Sequence, residues 1–382
     1  MSTIDTASAI KTSTSLRDVC EMGWDALVAG GDLYLASPWL RVEERIAPVQ
    51  PTYLLSQVEG RLAAGLTCYR LGPDTPPWPF ARIDAFITRL LKEAGHDATA
   101  AEPLLKRTLP TLLCGGRRPG HTRLLLAPHL DDIARRERTT HVLEAVEESG
   151  QHRGAASLSF LYIDEDDRIT RDVLRERGYI EFPSARASRL TVPASFDQYL
   201  EDLPVKRRSA VRTERQKLEA AGITYHTRPL TEDLIQEILP LELALYAKYE
   251  TEFPPHEAAK LHRTVAEVLG DRVQVLTAEH DGKIRGFVVL IRWQDTLYAR
   301  QAGFDYEFQG NLPLYFGLIF YATLEYAIAH GARFIEYGIG SEQAKVYRGC
   351  HVRQQYGYVN VFNAADHAAL RGILEQAGLC AG

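Results

Sequence analysis

The chain has 382 residues, 45% hydrophobic and 25% charged, enough for two or three globular domains with real cores. Lys and Arg total 44 against 50 Asp and Glu, a formal charge of −6, which excludes a surface basic throughout but not a local basic patch. Five scattered cysteines (Cys20, Cys68, Cys114, Cys350, Cys380) without a CxxC pair, and a polar start lacking an export signal's apolar core, predict a reduced, cytoplasmic protein.

Residues 1–15, rich in Ser and Thr, read as a disordered lead. Helices are expected over 15–29 and 39–46. Strands at 53–57 and 62–69 flank the turn Glu59-Gly60-Arg61, with glycine at the tight position. The proline-rich stretch 72–82 is a loop. Strand-like segments at 107–114 and 122–127 are joined by Gly115-Gly116-Arg117-Arg118-Pro119-Gly120. A helix over 139–149, a strand over 156–163 and a helix over 169–177, stopped by Gly178, complete the first half. The second half repeats this grammar: strands at 273–279, 284–293 and 296–303, a long helix capped by Asn311 and running to His330, and a strand at 334–337. The most apolar stretch, 312–328, is interrupted by Glu325 and too short to span a bilayer.

Glu59-Gly60-Arg61-Leu62-Ala63-Ala64 matches Asp281-Gly282-Lys283-Ile284-Arg285-Gly286 in residue class, and each hairpin leads into the same order of elements. This predicts a tandem duplication: a first unit over 16–195, basic linker helices over 196–222 and a second unit over 223–382. Within 206–217 six basic residues meet one acid, Glu214, and Arg208, Arg212 and Arg215 share one helical face. The following stretch, 231–257, carries seven carboxylates and one lysine, so the chain is electrically polarised.

The order strand, glycine hairpin, two strands, helix, strand resembles the GNAT acyltransferase fold. Two such units joined by Leu203-Pro204, Arg208, Val211-Arg212, Leu218 and Gly222 resemble the Fem-type (FemAB-like) branch, as does Glu336-Tyr337-Gly338-Ile339-Gly340 followed by Ala344-Lys345. The family's aromatic before the lysine is Ala344 here, and no long coiled-coil insertion is present. The resemblance implies an α/β fold of two tandem GNAT-like domains, each a mixed twisted sheet flanked by helices. It implies an acyltransferase that moves an aminoacyl group from aminoacyl-tRNA to an amine of a small metabolite or cell-wall precursor. The chain is expected to be a monomer or loose dimer.

Such a donor is already activated, so no ATP machinery is needed, and the sequence has no phosphate loop. The reaction must hold an amine against a carbonyl and stabilise the tetrahedral oxygen. The resemblance assigns the stabilising charge to Lys345, and Glu336, at a strand end, is the candidate to orient or deprotonate the amine. Tyr298, Arg300, Tyr337, Tyr347 and Arg348 are candidates to bind substrate. Arg207, Arg208, Arg212 and Arg215 either contact tRNA phosphates or form a solvated face paired with the acidic stretch. No cofactor or metal is expected, since His256-Glu257 and His262 lack the spacing of a zinc site. Acyl-CoA is the alternative co-substrate. Arg300-Gln301-Ala302-Gly303 fits the start of a pyrophosphate-binding turn, but Asp305 ends it with a repelling carboxylate. A non-catalytic binder of RNA or of an anionic ligand is the remaining alternative.

Overall fold

The computed structural model describes residues 10–28, 31–249 and 253–380. The chain divides into two compact units, Met1–Arg186 with Arg353–Gly382, and Ala187–Val352. The first contains strands β1 (Ile10–Ser13), β2 (Thr52–Val58), β3 (Arg61–Leu71), β4 (Thr111–Cys114), β5 (Leu125–Leu126), β6 (Ser157–Asp164) and the start of β7 (Ile180–Thr191). Their lateral order is β1-β2-β3-β4-β6, with β5 on β3. β2 and β3 meet at Glu59–Gly60, whose φ values of 49° and 77° make the two-residue turn that suits strand twist. The helix Asp132–His152, capped by the Asp131 carboxylate, carries the crossover from β4 to its parallel neighbour β6. Val142, Leu143 and Val146 of that helix pack on Leu66 and Phe160 in this unit's core.

The second unit takes the end of β7 and adds β8 (Thr224–Pro229), β9 (Val273–His280), β10 (Lys283–Trp293), β11 (Thr296–Phe304) and β12 (Phe334–Gly338). The order is β7-β12-β11-β10-β9-β8. Asp281–Gly282 turn β9 into β10 with φ of 49° and 72°, the conformation of the first hairpin. β12 again lies parallel to the last strand of the meander, β11. The matched grammar of the two halves is therefore matched geometry.

From Arg353 onward the chain belongs to the first unit, so the second does not run to residue 382. β13 (His351–Val361) pairs antiparallel with β6, setting Gln355 opposite Asp164, and buries Tyr358 in the first core. Such long-range pairing leaves no local mark in the sequence. The helices Phe196–Asp202 and Val205–Ala220 are part of the second unit rather than a free linker, because Tyr199, Leu200, Val211 and Leu218 enter its core. At the start, residues 10–13 form β1 against β2 rather than a disordered lead, and residues 1–9 lie outside the described residues. Arg107 ends a helix, Glu102–Arg107, and the strand begins only at Thr111.

The long helix expected from Asn311 is instead a series: Tyr306–Gln309, Leu314–Phe316, a wide π turn over Gly317–Ala322, and Thr323–Ala329. Asp305, not Asn311, caps its start. Gly317 explains the close packing of the middle, since a Cβ there would collide with Tyr225 and Leu218. Among the described residues no helix is long and apolar enough to cross a membrane.

Candidate functional site

In the second unit β11 and β12 pair for only three positions, Thr296 with Phe334 through Tyr298 with Glu336. β11 then continues to Phe304 and β12 to Gly338 without each other. A bulge on β11 where it faces Val288 and Leu290 lies between Ala299 and Ala302, and residues 299–302 remain half-buried. Parted strands with a half-exposed inner edge make a place where an extended group can lie. Tyr298 is buried at the point of parting, and Arg300, on the bulge, donates from Nε to Gln301 at 2.8 Å.

The tip of β12 is held by Lys345. The chain turns through Gly338 and Gly340, both at positive φ, into the short helix Glu342–Tyr347. Lys345 is 4% exposed, and its Nζ donates to the carbonyls of Tyr337 (2.8 Å), Gly338 (2.9 Å) and Ile339 (2.9 Å). An ammonium has three protons, and all three are engaged. Burial pulls its pKa down to about 8, against the opposing pull of Cys350 and Glu336. The sequence expectation of a cation projecting into a cleft is thus replaced by a buried clamp on the glycine turn. Glu336 is equally enclosed, at 3% exposed, and accepts from Nε of Arg189.

Tyr337 is the extra residue of a bulge on β12, between Glu336 opposite Arg189 and Gly338 opposite Ser188. Its ring packs on Phe320 at 5.0 Å, and its hydroxyl is buried with no hydrogen-bond partner. Cys350, Tyr199 and Tyr315 are the ionisable groups around it. Burial pushes the Cys350 thiol up to about 12 and raises both other phenols, so these three groups are neutral at neutral pH.

The basic helix Val205–Ala220 braces the same turn. Arg207 donates to the Val346 carbonyl at 3.1 Å and lies over Tyr347, which is 45% exposed. Arg208 donates from Nη2 to the Glu201 and Leu203 carbonyls, and Arg215 pairs with Glu325 with Phe196 beneath it. Arg212 alone of the four is exposed and makes no polar contact among the described residues. Glu214, passed over in the sequence as the lone acid of a basic run, accepts from Arg348 Nη2 through both oxygens (2.9 and 2.8 Å) and from the Tyr321 hydroxyl. Arg348 lies flat on Phe316 at 3.7 Å, so its guanidinium is a structural tie first. A carboxylate isolated among arginines was the available signal.

The glycine of the CoA-like turn has a packing role. A Cβ on Gly303 would strike the backbone of Leu241 and Glu242. The Asp305 carboxylate itself fills the start of the following helix, accepting from Phe308 N–H at 3.0 Å and from Arg285 at 2.7 Å. An anion would have to displace it. His262 is buried against Glu242, and among the described residues no three His, Cys, Asp or Glu gather to hold a metal.

The corresponding place in the first unit is closed. β4 and β6 also pair for three positions, Thr111 with Ser157 to Leu113 with Ser159. Beyond Cys114, however, the chain folds back on itself: Gly115 N–H binds the Thr67 carbonyl at 2.8 Å and Arg123 N–H returns to Gly115 at 2.9 Å. β5 then takes the edge of β3, and Gln355 Nε2 reaches Gly120 at 2.8 Å. Arg117 and Arg118 are spent on Glu43, which is 1% exposed and held down to about 2 by the two arginines against its burial.

A family model named FemAB-like and described as peptidoglycan biosynthesis and recognition matches residues 119–378, more than half of the chain. The chain belongs to the FemAB-like family. Its fold is that of tandem GNAT-like proteins. The solved structure of FemX aligns at TM-score 0.62 and 11% identity, over 94% of this chain and 100% of that one. The C-terminal domain of a putative lysylphosphatidylglycerol synthetase from Agrobacterium fabrum aligns at 0.55 and 11%, over 94% and 97%. A tandem GNAT protein from the clavulanic acid biosynthesis pathway aligns at 0.51 and 12%, over 92% and 98%. A search of curated proteins finds no significant sequence match.

Proposed function

We propose that this FemAB-like chain is an acyltransferase that forms an amide bond, moving an aminoacyl group from aminoacyl-tRNA to an amine of a small metabolite or cell-wall precursor. The observation that carries the reading is the parting of β11 and β12 in the second unit, with a half-exposed β11 edge and a braced glycine turn at its mouth. The extended ester lies along that edge, and the acceptor amine attacks its carbonyl. Lys345 serves by fixing the turn, and Glu336 by fixing Arg189 beside β12. The exposed cations Lys206, Arg212 and Lys217 on the basic helix are the groups left to meet tRNA phosphates. Family membership supports the reading at the level of cell-wall chemistry.

Acyl-CoA is the less favoured donor, because Asp305 occupies the helix start where a pyrophosphate would sit. The test is transfer from a mixed pool of radiolabelled aminoacyl-tRNAs to an amine panel, run beside an acyl-CoA thiol-release assay. Label leaving one tRNA species for an amide supports the proposal. Thiol release with every charged tRNA intact overturns it in favour of CoA.

A further inference from the structure

The reacting carbonyl needs a hydrogen-bond donor for the oxygen that becomes negative, and Lys345 has none to spare. A candidate on the same strand end is the Tyr337 hydroxyl. It belongs to a side chain only 7% exposed, yet it meets no acceptor in the protein. A buried hydroxyl left without a partner carries a desolvation cost of about 1–3 kcal/mol, and such groups call for an explanation. The bulge that makes Tyr337 the odd residue of β12 re-aims its side chain one position past the point where β11 and β12 part. The same turn that Lys345 clamps begins with the Tyr337 carbonyl, so the phenol is carried on a braced segment.

We infer that Tyr337 donates the hydrogen bond that stabilises the tetrahedral oxygen, and that Lys345 is a positioning residue for it. The inference rests on the acyl-transfer reading above. The amine nitrogen attacks the ester carbonyl carbon, and the carbonyl π pair moves onto oxygen, where the Tyr337 O–H binds it without giving up its proton. Collapse re-forms the C=O and expels the ribose oxygen, which takes the proton released by the amine. Burial raises the phenol well above its ordinary pKa, so it remains a neutral donor through the pH range of the reaction. Cys350, Tyr199 and Tyr315 around it are likewise neutral, and the one cation on its own turn, Lys345, is engaged by three carbonyls. A donor in such dry surroundings is worth about 10²–10³ in kcat.

The experiment compares wild type, Tyr337→Phe and Tyr199→Phe in single-turnover transfer from the aminoacyl-tRNA that the wild type uses, with melting curves of each. The expected result for Tyr337→Phe is a kcat about 100-fold lower, KM within about twofold, and a melting temperature equal or higher because an unpaired hydroxyl is gone. Tyr199→Phe, whose hydroxyl serves the Arg348 carbonyl, loses less than about tenfold. Wild-type transfer with full kcat retained in Tyr337→Phe overturns the inference and assigns the hydroxyl to a buried water. A wild type that transfers from no charged tRNA overturns the acyl-transfer reading itself, and the inference with it.

Discussion

The two units share a three-position parallel ladder and differ in the path of the chain beyond it. After Cys114 the first unit's chain folds back over its own edge, so that Gly115 and Gly116 are buried under Thr122 and His121. After Tyr298 the second unit's β11 runs on for six residues with four of them half-exposed. The charges differ in the same sense. The first unit locks Arg117 and Arg118 on a buried glutamate, whereas the second leaves the buried Tyr337 hydroxyl neutral and without a hydrogen-bond partner. Two matched ladder ends thus differ in cover: one is folded over by its own chain, and the other is left half-exposed.

The largest effect expected from disturbing the open site belongs to Lys345→Met. Three turn carbonyls lose their donor, and transfer falls by about 100-fold or more, measured with saturating acceptor. The pH dependence has a definite sign. The unfolded lysine keeps its proton to about 10.5, whereas the buried amine releases it at about 8. Between those values the unfolded state binds more protons, so this group makes the protein more stable as pH rises from 8 to 10.5. Denaturant melts of wild type and Lys345→Met should show the difference shifting in favour of wild type across that window. A constant difference would mean that the amine is not perturbed.

Closing the comparison from the other side, Gly116→Ala places a Cβ against the His121 carbonyl at a φ of 127°. It should lower stability by about 1–3 kcal/mol while the folded protein keeps its kcat. A kcat that falls with it would show that the first unit is not a passive copy.

Glu214→Gln comes next. It weakens the charge on the tie to Arg348 and loosens the short helix that carries Lys345, with transfer lowered about tenfold. Arg212→Ala is the smallest: the affinity for tRNA falls about threefold, with the slope of log Kd against log salt reduced by about one, while kcat is retained. No change in the salt slope would remove this helix from RNA binding.

Much of the architecture is legible in the residues. The two acidic-glycine hairpins and the repeated order of elements mark the duplication, because turn chemistry is local. The return of 353–382 to the first unit is not legible, since β13 finds β6 across most of the chain. Lys345 and Arg348 are identifiable in position but not in role. A sequence shows that a lysine follows a glycine turn, but not that three carbonyls of that turn converge on it. For the same reason Gly303 reads as a phosphate-binding glycine, although the nearby backbone of Leu241 and Glu242 is what requires it. Tyr337 is one of several candidate tyrosines in the sequence, and its burial with an unpartnered hydroxyl is a property of the folded chain alone.

The most direct test of the open-and-closed comparison is photocrosslinking with a tRNA charged with a diazirine-bearing amino acid, followed by peptide mapping. The account predicts crosslinks within Thr296–Phe304 and residues 337–350 of the second unit. Crosslinks concentrated in residues 111–127 of the first unit would contradict it.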